Sequence, residues 1–298
     1  MCPAPIEPGG TRLRTRVCVV GSANIDQFFT VAALPRPGET VLASGVTTVP
    51  GGKGGNQAVA AARAGADVQF VGAVGADPAG AQLRAHLSAN GVGLDGVEEL
   101  PAPSGSAAIM VDSGGENLIV VAPGANGHLT LTSAAARAVI AGCQVVLISL
   151  EIPVATAVAA AHEARSVGAT VVVNASPAGI DAEGLAALAA VTDVVVVNEA
   201  EEPHWHWPTT HLVVTRGGRG ASYRGADGPF DVPVPEVEPV DTTGAGDVFA
   251  GVLAAQWAAG PKHAVRRACA AGALATLVAG AGDCAPLAEA IDDALTRY

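Results

Sequence analysis

Short runs of β-branched and aliphatic residues recur along the chain, at Val17–Val20, Val68–Val71, Val145–Ser149, Thr170–Val173, Val194–Val197 and Leu212–Thr215. They are apolar almost throughout rather than alternating, the pattern of strands buried on both faces. Between them lie segments 56–64, 77–90, 153–167 and 183–190, rich in alanine and leucine and of helical length. Asp77 before Pro78 supplies an N-cap and a proline at the first helical position, and Gly91 supplies a stop. Alternation of strands with helices predicts an α/β fold in which helices cover a parallel sheet.

Two segments break the rhythm. Residues 27–50 and 105–121 carry Thr- and Val-rich pieces split by Pro35, Pro37, Gly38, Gly45, Gly114 and Gly115. Neither has room for a helical crossover, so both are expected to be antiparallel strand insertions that together form a small accessory sheet. Val46, Val49, Ile109, Val111, Ile119 and Val121 would give that sheet an apolar face, covered by the main domain or by a second subunit. Residues 1–15 read as a flexible tail ahead of a single domain spanning 16–298.

Composition narrows the function. Half of the 298 residues are hydrophobic and only 3% are aromatic, so a large core of Ala, Val and Leu is expected. The formal charge of −12 argues against a dedicated nucleic-acid binder, which needs a clustered basic face. The charge-free stretch 117–136 contains Pro123, Gly124, Gly127 and His128, so no membrane helix is expected there. The first sixteen residues hold three prolines and three arginines, which is no signal peptide. Cys2, Cys18, Cys143, Cys269 and Cys284 are odd in number and scattered, the usage of a reducing cytoplasm rather than of a disulfide framework.

Two familiar nucleotide motifs fail. Thr47 and Gly54 stand where a P-loop around Gly52-Lys53 needs glycine and Ser or Thr, and Phe249 replaces the third glycine of a dinucleotide fingerprint after Gly244 and Gly246. The stretch 240–251, Val-Asp-Thr-Thr-Gly-Ala-Gly-Asp-Val-Phe-Ala-Gly, leads into helical spacing over 245–259, with Val248, Val252, Leu253 and Trp257 on one side. Its glycines therefore sit at a helix N-terminus, where unpaired N–H groups attract anions. Two readings stand on spacing alone: a phosphate cradle with Asp247 accepting a proton from an attacking hydroxyl, or a glycine turn with a helix-stabilising Asp.

The segment 240–251 resembles the C-terminal signature of the ribokinase-like (PfkB) family of carbohydrate kinases. Gly21–Asp26, Pro35–Thr40, Gly51–Ala58, Val71–Asp77, Gly124–Asn126, Leu150–Pro153, Asn198–Glu201 and Thr215–Gly220 resemble further family motifs in the family order, from about residue 16 to the end. The resemblance implies a three-layer α/β/α fold with a mostly parallel central sheet and a small β-sheet lid. It implies ATP-dependent phosphorylation of D-ribose at the 5-hydroxyl. Alternatives are another sugar or nucleoside as acceptor (2-deoxyribose, a fructose-type sugar), or a catalytically silent sugar-binding regulator. A homodimer formed through the lid sheet is also expected.

Carried over by residue, Asp247 resembles the catalytic base, and the amides of Gly244, Ala245 and Gly246 would hold the charge on the transferred phosphoryl group. Asn24, Asp26, Gly52, Lys53, Asn56 and Glu151 match sugar-binding positions, although Asn24 and Asp26 could equally stabilise a turn and Lys53 be a solvated charge. Asn198 and Glu201 resemble a motif that arranges Mg2+ through water, against the alternative of a simple helix cap. Thr215, Gly217, Gly218 and Gly220 look like the nucleotide loop, with Gly246 and Cys269 also at nucleotide-contacting positions. A K+ site is implied at Asp241, Thr243, Ala275, Val278, Gly280 and Cys284, where the cysteine stands in place of the usual serine and offers a soft sulfur. The connection between Asn198 and Thr215 is short for the family. Pro203 and Pro208 forbid a long helix in it, and Trp205 or Trp207 is expected to fold onto the sheet edge. His204 and His206 lack the spacing and partners of a metal site.

Overall fold

The computed structural model describes residues 14–178, 181–226 and 228–297, so the expected tail lies outside the described residues except for Arg14 and Thr15. The strands are β1 (Arg16–Val20), β2 (Asn24–Thr30), β3 (Gly45–Gly51), β4 (Asp67–Gly75), β5 (Gly93–Leu100), β6 (Gly105–Val111) and β7 (Asn117–Ala122). Then follow β8 (Val145–Ser149), β9 (Thr170–Asn174), β10 (Val194–Asn198), β11 (His211–Thr215), β12 (Ala221–Gly225) and β13 (Phe230–Val232). The helices are α1 (Lys53–Arg63), α2 (Pro78–Ala89), α3 (Ala134–Ala141), α4 (Val154–Ser166), α5 (Ala182–Ala189), α6 (Ala245–Gln256), α7 (Pro261–Ala275) and α8 (Ala288–Arg297).

Nine strands form the main sheet in the order β13-β12-β11-β10-β9-β8-β1-β4-β5. It is parallel from β5 to β11 and antiparallel only at β12 and β13. The near-continuous apolar runs are explained by helices on both faces. Val17 and Val19 pack with α1, α6 and α7, whereas Cys18 and Val20 pack with α3 and α4. Asp77 caps α2 through the Gly80 N–H at 2.7 Å, and takes both the N–H and the hydroxyl of Ser104. Those bonds hold its carboxyl below the ordinary carboxylate range. β5, β12 and β13 escape the apolar pattern because they are edge or near-edge strands with charged or polar residues.

The accessory sheet has the order β3-β2-β6-β7. β2–β3 and β6–β7 are antiparallel as expected, but β2 and β6 run parallel, from Asn24 beside Gly105 to Thr30 beside Val111. Both strands leave the main domain side by side and extend outward, which forces the same direction. The register also corrects the expected face. Val49 pairs with Asp26 and Ile109 with Ile119, whereas Val46 pairs with Phe29 and so points the other way. Ile109 is buried, but Ile119 and Val121 are about half exposed, at 52% and 45%.

Between β10 and β11 a single turn of 3-10 helix, Glu202–His204, replaces an α-helix. Trp205 is buried with the α4–α5 side of the core and meets Trp207 edge-on at 5.3 Å. Among the described residues no His, Cys, Asp or Glu cluster could hold a metal ion, and no helix is long and apolar enough to cross a membrane.

α1 and α6 approach so closely that a Cβ on Gly251 would overlap the Gln57 carbonyl oxygen and lie 2.8 Å from the Ala60 Cβ. Gly251→Ala should therefore cost about 1–3 kcal/mol, the scale of core overpacking, which thermal unfolding will measure; an unchanged midpoint would mean that the helices can separate freely.

Candidate active site

The two helix N-termini converge at the carboxyl edge of the main sheet, where α/β folds bind ligands. Gly244 caps α6 with φ of 81°, and a Cβ there would sit 2.8 Å from Ala281 Cα, so both conformation and space require glycine. The Ala245 N–H turns back to the Thr242 carbonyl at 3.3 Å. The Gly244 and Gly246 N–H groups have no partner among the described residues and are the donors left for an anion. Ala245 thus contributes helix geometry more than a free amide.

Asp247, in the first turn of α6, is only 8% exposed. Asn56 Nδ2 donates to its Oδ2 at 3.1 Å and Gln57 Nε2 to its Oδ1 at 3.0 Å. Burial raises its pKa, against the pull of Lys53 and the two amides; Glu151 pushes the same way as burial. The Lys53 ammonium is in turn raised, chiefly by Asp247 and with help from Glu151 and Glu201, against its own burial. A solvated loop charge would not respond to three carboxylates.

The sugar-matching residues lie around this pair. Asn24 and Asp26 belong to β2 rather than to a turn, and both are buried. Gly51 leaves room for the Asp26 carboxylate, and Gly52, with φ of 86°, lies so near β2 that a Cβ would come within 2.7 Å of Asn24 N. Glu151 Oε2 accepts the Ser22 hydroxyl at 2.5 Å and the Lys53 N–H at 3.2 Å. Asn126 grips the turn before β2, donating to Asn24 Oδ1 at 2.8 Å and exchanging bonds with the Ala23 backbone. Ser22, Gln57 and Asn126 had no assigned role; each lies inside a motif stretch, but only its contacts reveal what it holds. Burial first, then the charges of Glu151 and Asp247, lift Asp26 from 3.8 to about 7.

On the other side of α6 opens a cleft of about 1050 Å3. It is lined by Asn198, Thr215, Gly217, Gly218, Gly220, Gly246 and Cys269, together with Phe249 of the 240–251 stretch and the segment Val234–Pro239, which no sequence motif marks. Cys269 is 2% exposed, its thiol faces the Val232 carbonyl at 3.7 Å, and burial pushes it to about 12. It forms apolar wall. Asn198 Oδ1 accepts the N–H groups of Ala200 and Glu201, and Glu201 Oε2 accepts the Asn198 N–H at 3.0 Å. The pair is thus a reciprocal cap at the cleft edge, with Glu201 Oε1 still open.

The two loops expected to hold a monovalent cation do meet. Asp241 takes the Thr243 N–H on Oδ1 and the Gly280 N–H on Oδ2, both at 2.8 Å. Burial would raise this carboxyl, but those bonds outweigh it and hold it below its ordinary value. Ala275 ends α7, its carbonyl accepting the Val278 N–H at 3.2 Å. Cys284 directs its thiol at the Ala281 carbonyl (3.3 Å) and toward that of Thr243 (4.0 Å), and burial, then Asp247, raise it to about 11. It is therefore a neutral donor, turned toward carbonyls.

Residues 14–288 match the model of the pfkB family carbohydrate kinases. The chain belongs to the pfkB family. It is 35% identical over 294 residues to a ribokinase of Bacillus subtilis, covering 94% of this chain and 99% of that protein. It also resembles the solved structure of an Arabidopsis thaliana ribokinase complexed with ribose and ATP, with a TM-score of 0.86, 28% identity and coverage of 95% and 99%. A Cryptococcus neoformans ribokinase in complex with ADP superimposes with a TM-score of 0.82, 28% identity and coverage of 94% and 99%. As a pfkB member of the ribokinase type, the chain is a sugar kinase with an alcohol group as acceptor.

Burial and two neighbouring carboxylates make the charge of Asp26 costly in the fold. With a folded pKa near 7 above an unfolded value near 3.8, the folded protein binds the extra proton between those values, so stability is lost as pH rises through that window. Asp26→Asn should raise the unfolding midpoint by about 2 °C or more at about pH 8, and by less at about pH 5. Equal effects at both pH values in differential scanning calorimetry would show that Asp26 is not charged at a cost.

Proposed function

We propose that this chain transfers the terminal phosphoryl group of ATP to the 5-hydroxyl of D-ribose. The observation that carries the reading is Asp247, a buried carboxylate between a pocket of paired hydroxyl acceptors and amides and a large cleft. The relatives' names, and the ribose and ATP held by the Arabidopsis protein, support it.

Asp26 and the free oxygen of Glu151 accept sugar hydroxyls, and Asn24, Asn56, Lys53 and the Gly52 backbone complete the polar shell. Asp247 takes the proton of the 5-hydroxyl as the new oxygen–phosphorus bond forms and the bond to the ADP oxygen breaks. The free Gly244 and Gly246 N–H groups face the charge that develops. Thr215, Gly217, Gly218, Gly220 and the Cys269 wall receive the nucleotide. Because Asp26 is on the accessory sheet and Glu151 on the main domain, a bound sugar draws the two together and excludes water.

Mg2+ would supply charge neutralisation on the phosphates. The site fits an ion that keeps its waters: Asn198 Oδ1 is spent on the turn, but Glu201 Oε1 is open. K+ would order the Asp241 loop, and the fit there is to oxygen, from Asp241, Thr243 and the carbonyls of the 275–280 turn, with Cys284 competing for carbonyls rather than ligating. The half-exposed Ile119 and Val121 support pairing of two copies through the accessory sheets, in a cytoplasmic enzyme.

The deciding experiment is a coupled ADP-release assay on ribose, 2-deoxyribose, fructose and nucleosides. Ribose should lead in kcat/KM, since an analogue lacking a hydroxyl strands buried acceptors. Asp247→Asn should lower kcat by at least ~10²-fold. Preference for another acceptor, or near-normal turnover of that variant, would overturn the substrate or the base.

The cation is tested separately at fixed ionic strength. KCl should activate more than NaCl or choline chloride, and Cys284→Ser should tighten the KCl response by restoring a hard oxygen. Equal activity in all three salts would remove K+ from the reading.

A further inference from the structure

Gln57 lies in the motif Gly51–Ala58 beside the sugar-matching Asn56, on the same helix α1. It is fully buried. Its Nε2 donates to Asp247 Oδ1 at 3.0 Å, while its Oε1 is buried and accepts no hydrogen bond among the described residues. A buried amide normally satisfies both ends. Here one end is given up, and the bond to Asp247 alone sets the side chain's orientation. The orientation is chemically forced, because an ionised carboxylate only accepts and the amide nitrogen must face it. The backbone enforces the same pairing: Gly251, one helical turn beyond Asp247, lets α6 come down onto the Gln57 carbonyl. Asn56 occupies the other carboxylate oxygen from the adjacent position of α1.

We propose that Gln57 is a positioning residue for Asp247, whose amide fixes the rotation of the carboxylate so that its remaining lone pairs face the acceptor hydroxyl. This rests on the reading of Asp247 as the base. Without the amide the carboxylate is free to turn about its Cβ–Cγ bond, and its charged form loses one of two neutral donors. Lys53 on α1, Asp26 on β2, Glu151 after β8 and Cys284 after α7 are the other titratable groups that act on or feel Asp247. Of these only Lys53 favours its ionised form. Loss of the Gln57 donor should therefore move the protonation of the base upward.

The test uses Gln57→Leu, which keeps the volume and removes the donor, and Gln57→Glu, which keeps the shape and replaces the donor by an acceptor. In both, kcat for ribose should fall ~10-fold or more, the scale of a misaligned reacting group. The acidic limb of the pH–rate profile should move up by about one unit. KM for ribose should stay within about twofold, since Gln57 is fully buried and its one side-chain hydrogen bond among the described residues goes to Asp247; circular dichroism and ribose calorimetry check that each variant folds and binds. In the Asp247→Asn background, Gln57→Leu should have no further effect on residual turnover. If Asp247→Asn abolishes turnover but the Gln57 variants keep the wild-type limb, or change only KM or the unfolding midpoint, the positioning role fails and the base stands. If Asp247→Asn leaves turnover intact, the reading of the base fails first.

Discussion

The burial of one carboxylate between two helix N-termini is the constraint on which the site depends. Asp247 can be buried there only because Asn56 and Gln57 donate to both of its oxygens and Lys53 lies near enough to offset its charge. Those donors reach it only because Gly251 removes the side chain that would hold α1 and α6 apart. The glycine-rich turns at the head of each helix then do two things. They let backbone pass within contact of backbone, and at the head of α6 they leave the Gly244 and Gly246 N–H groups unpaired where an anion would lie.

The site is electrostatically unbalanced. Glu151 and Asp247 press on Asp26, Glu151 presses on Asp247 as well, and Lys53 answers Asp247 and Glu151 but not Asp26. This is a cost, visible in the Asp26 carboxyl raised to about 7. On the proposed reading, a polyhydroxylated acceptor would relieve it by donating hydrogen bonds to the same oxygens. The arrangement is therefore less stable than a neutral pocket would be, the usual relation between stability and a functional site.

Much of this was legible along the chain. The valine-rich runs mark strands with helices on both faces, because burial on two sides removes the need for polar alternation. Asp77-Pro78 and Gly91 bound a helix by local backbone chemistry alone. The glycines around Asn56 and Asp247, and the Asn198–Glu201 spacing, name the site because close approach and capping impose residue types at short, fixed intervals. What these patterns carry is local, and they identify the family's parts without showing how the parts meet.

Contacts between distant segments were decided by the tertiary structure. Gln57 meets Asp247 across 190 residues of chain, and no periodicity in either segment marks it. The parallel pairing of β2 with β6 joins strands some eighty residues apart, whereas the turning of Val46 away from Val49 follows from alternation along β3 alone. The Ala245 N–H and the Cys269 and Cys284 thiols point to neighbouring carbonyls, which no residue type along the chain foretells. The sequence by itself determined which residue types stand at which turns, since backbone conformation and burial on two faces are properties of short segments. Which atoms face the substrate, and which are spent on holding their neighbours, was settled only when the helices packed, because a donor serves whichever acceptor the fold brings within reach.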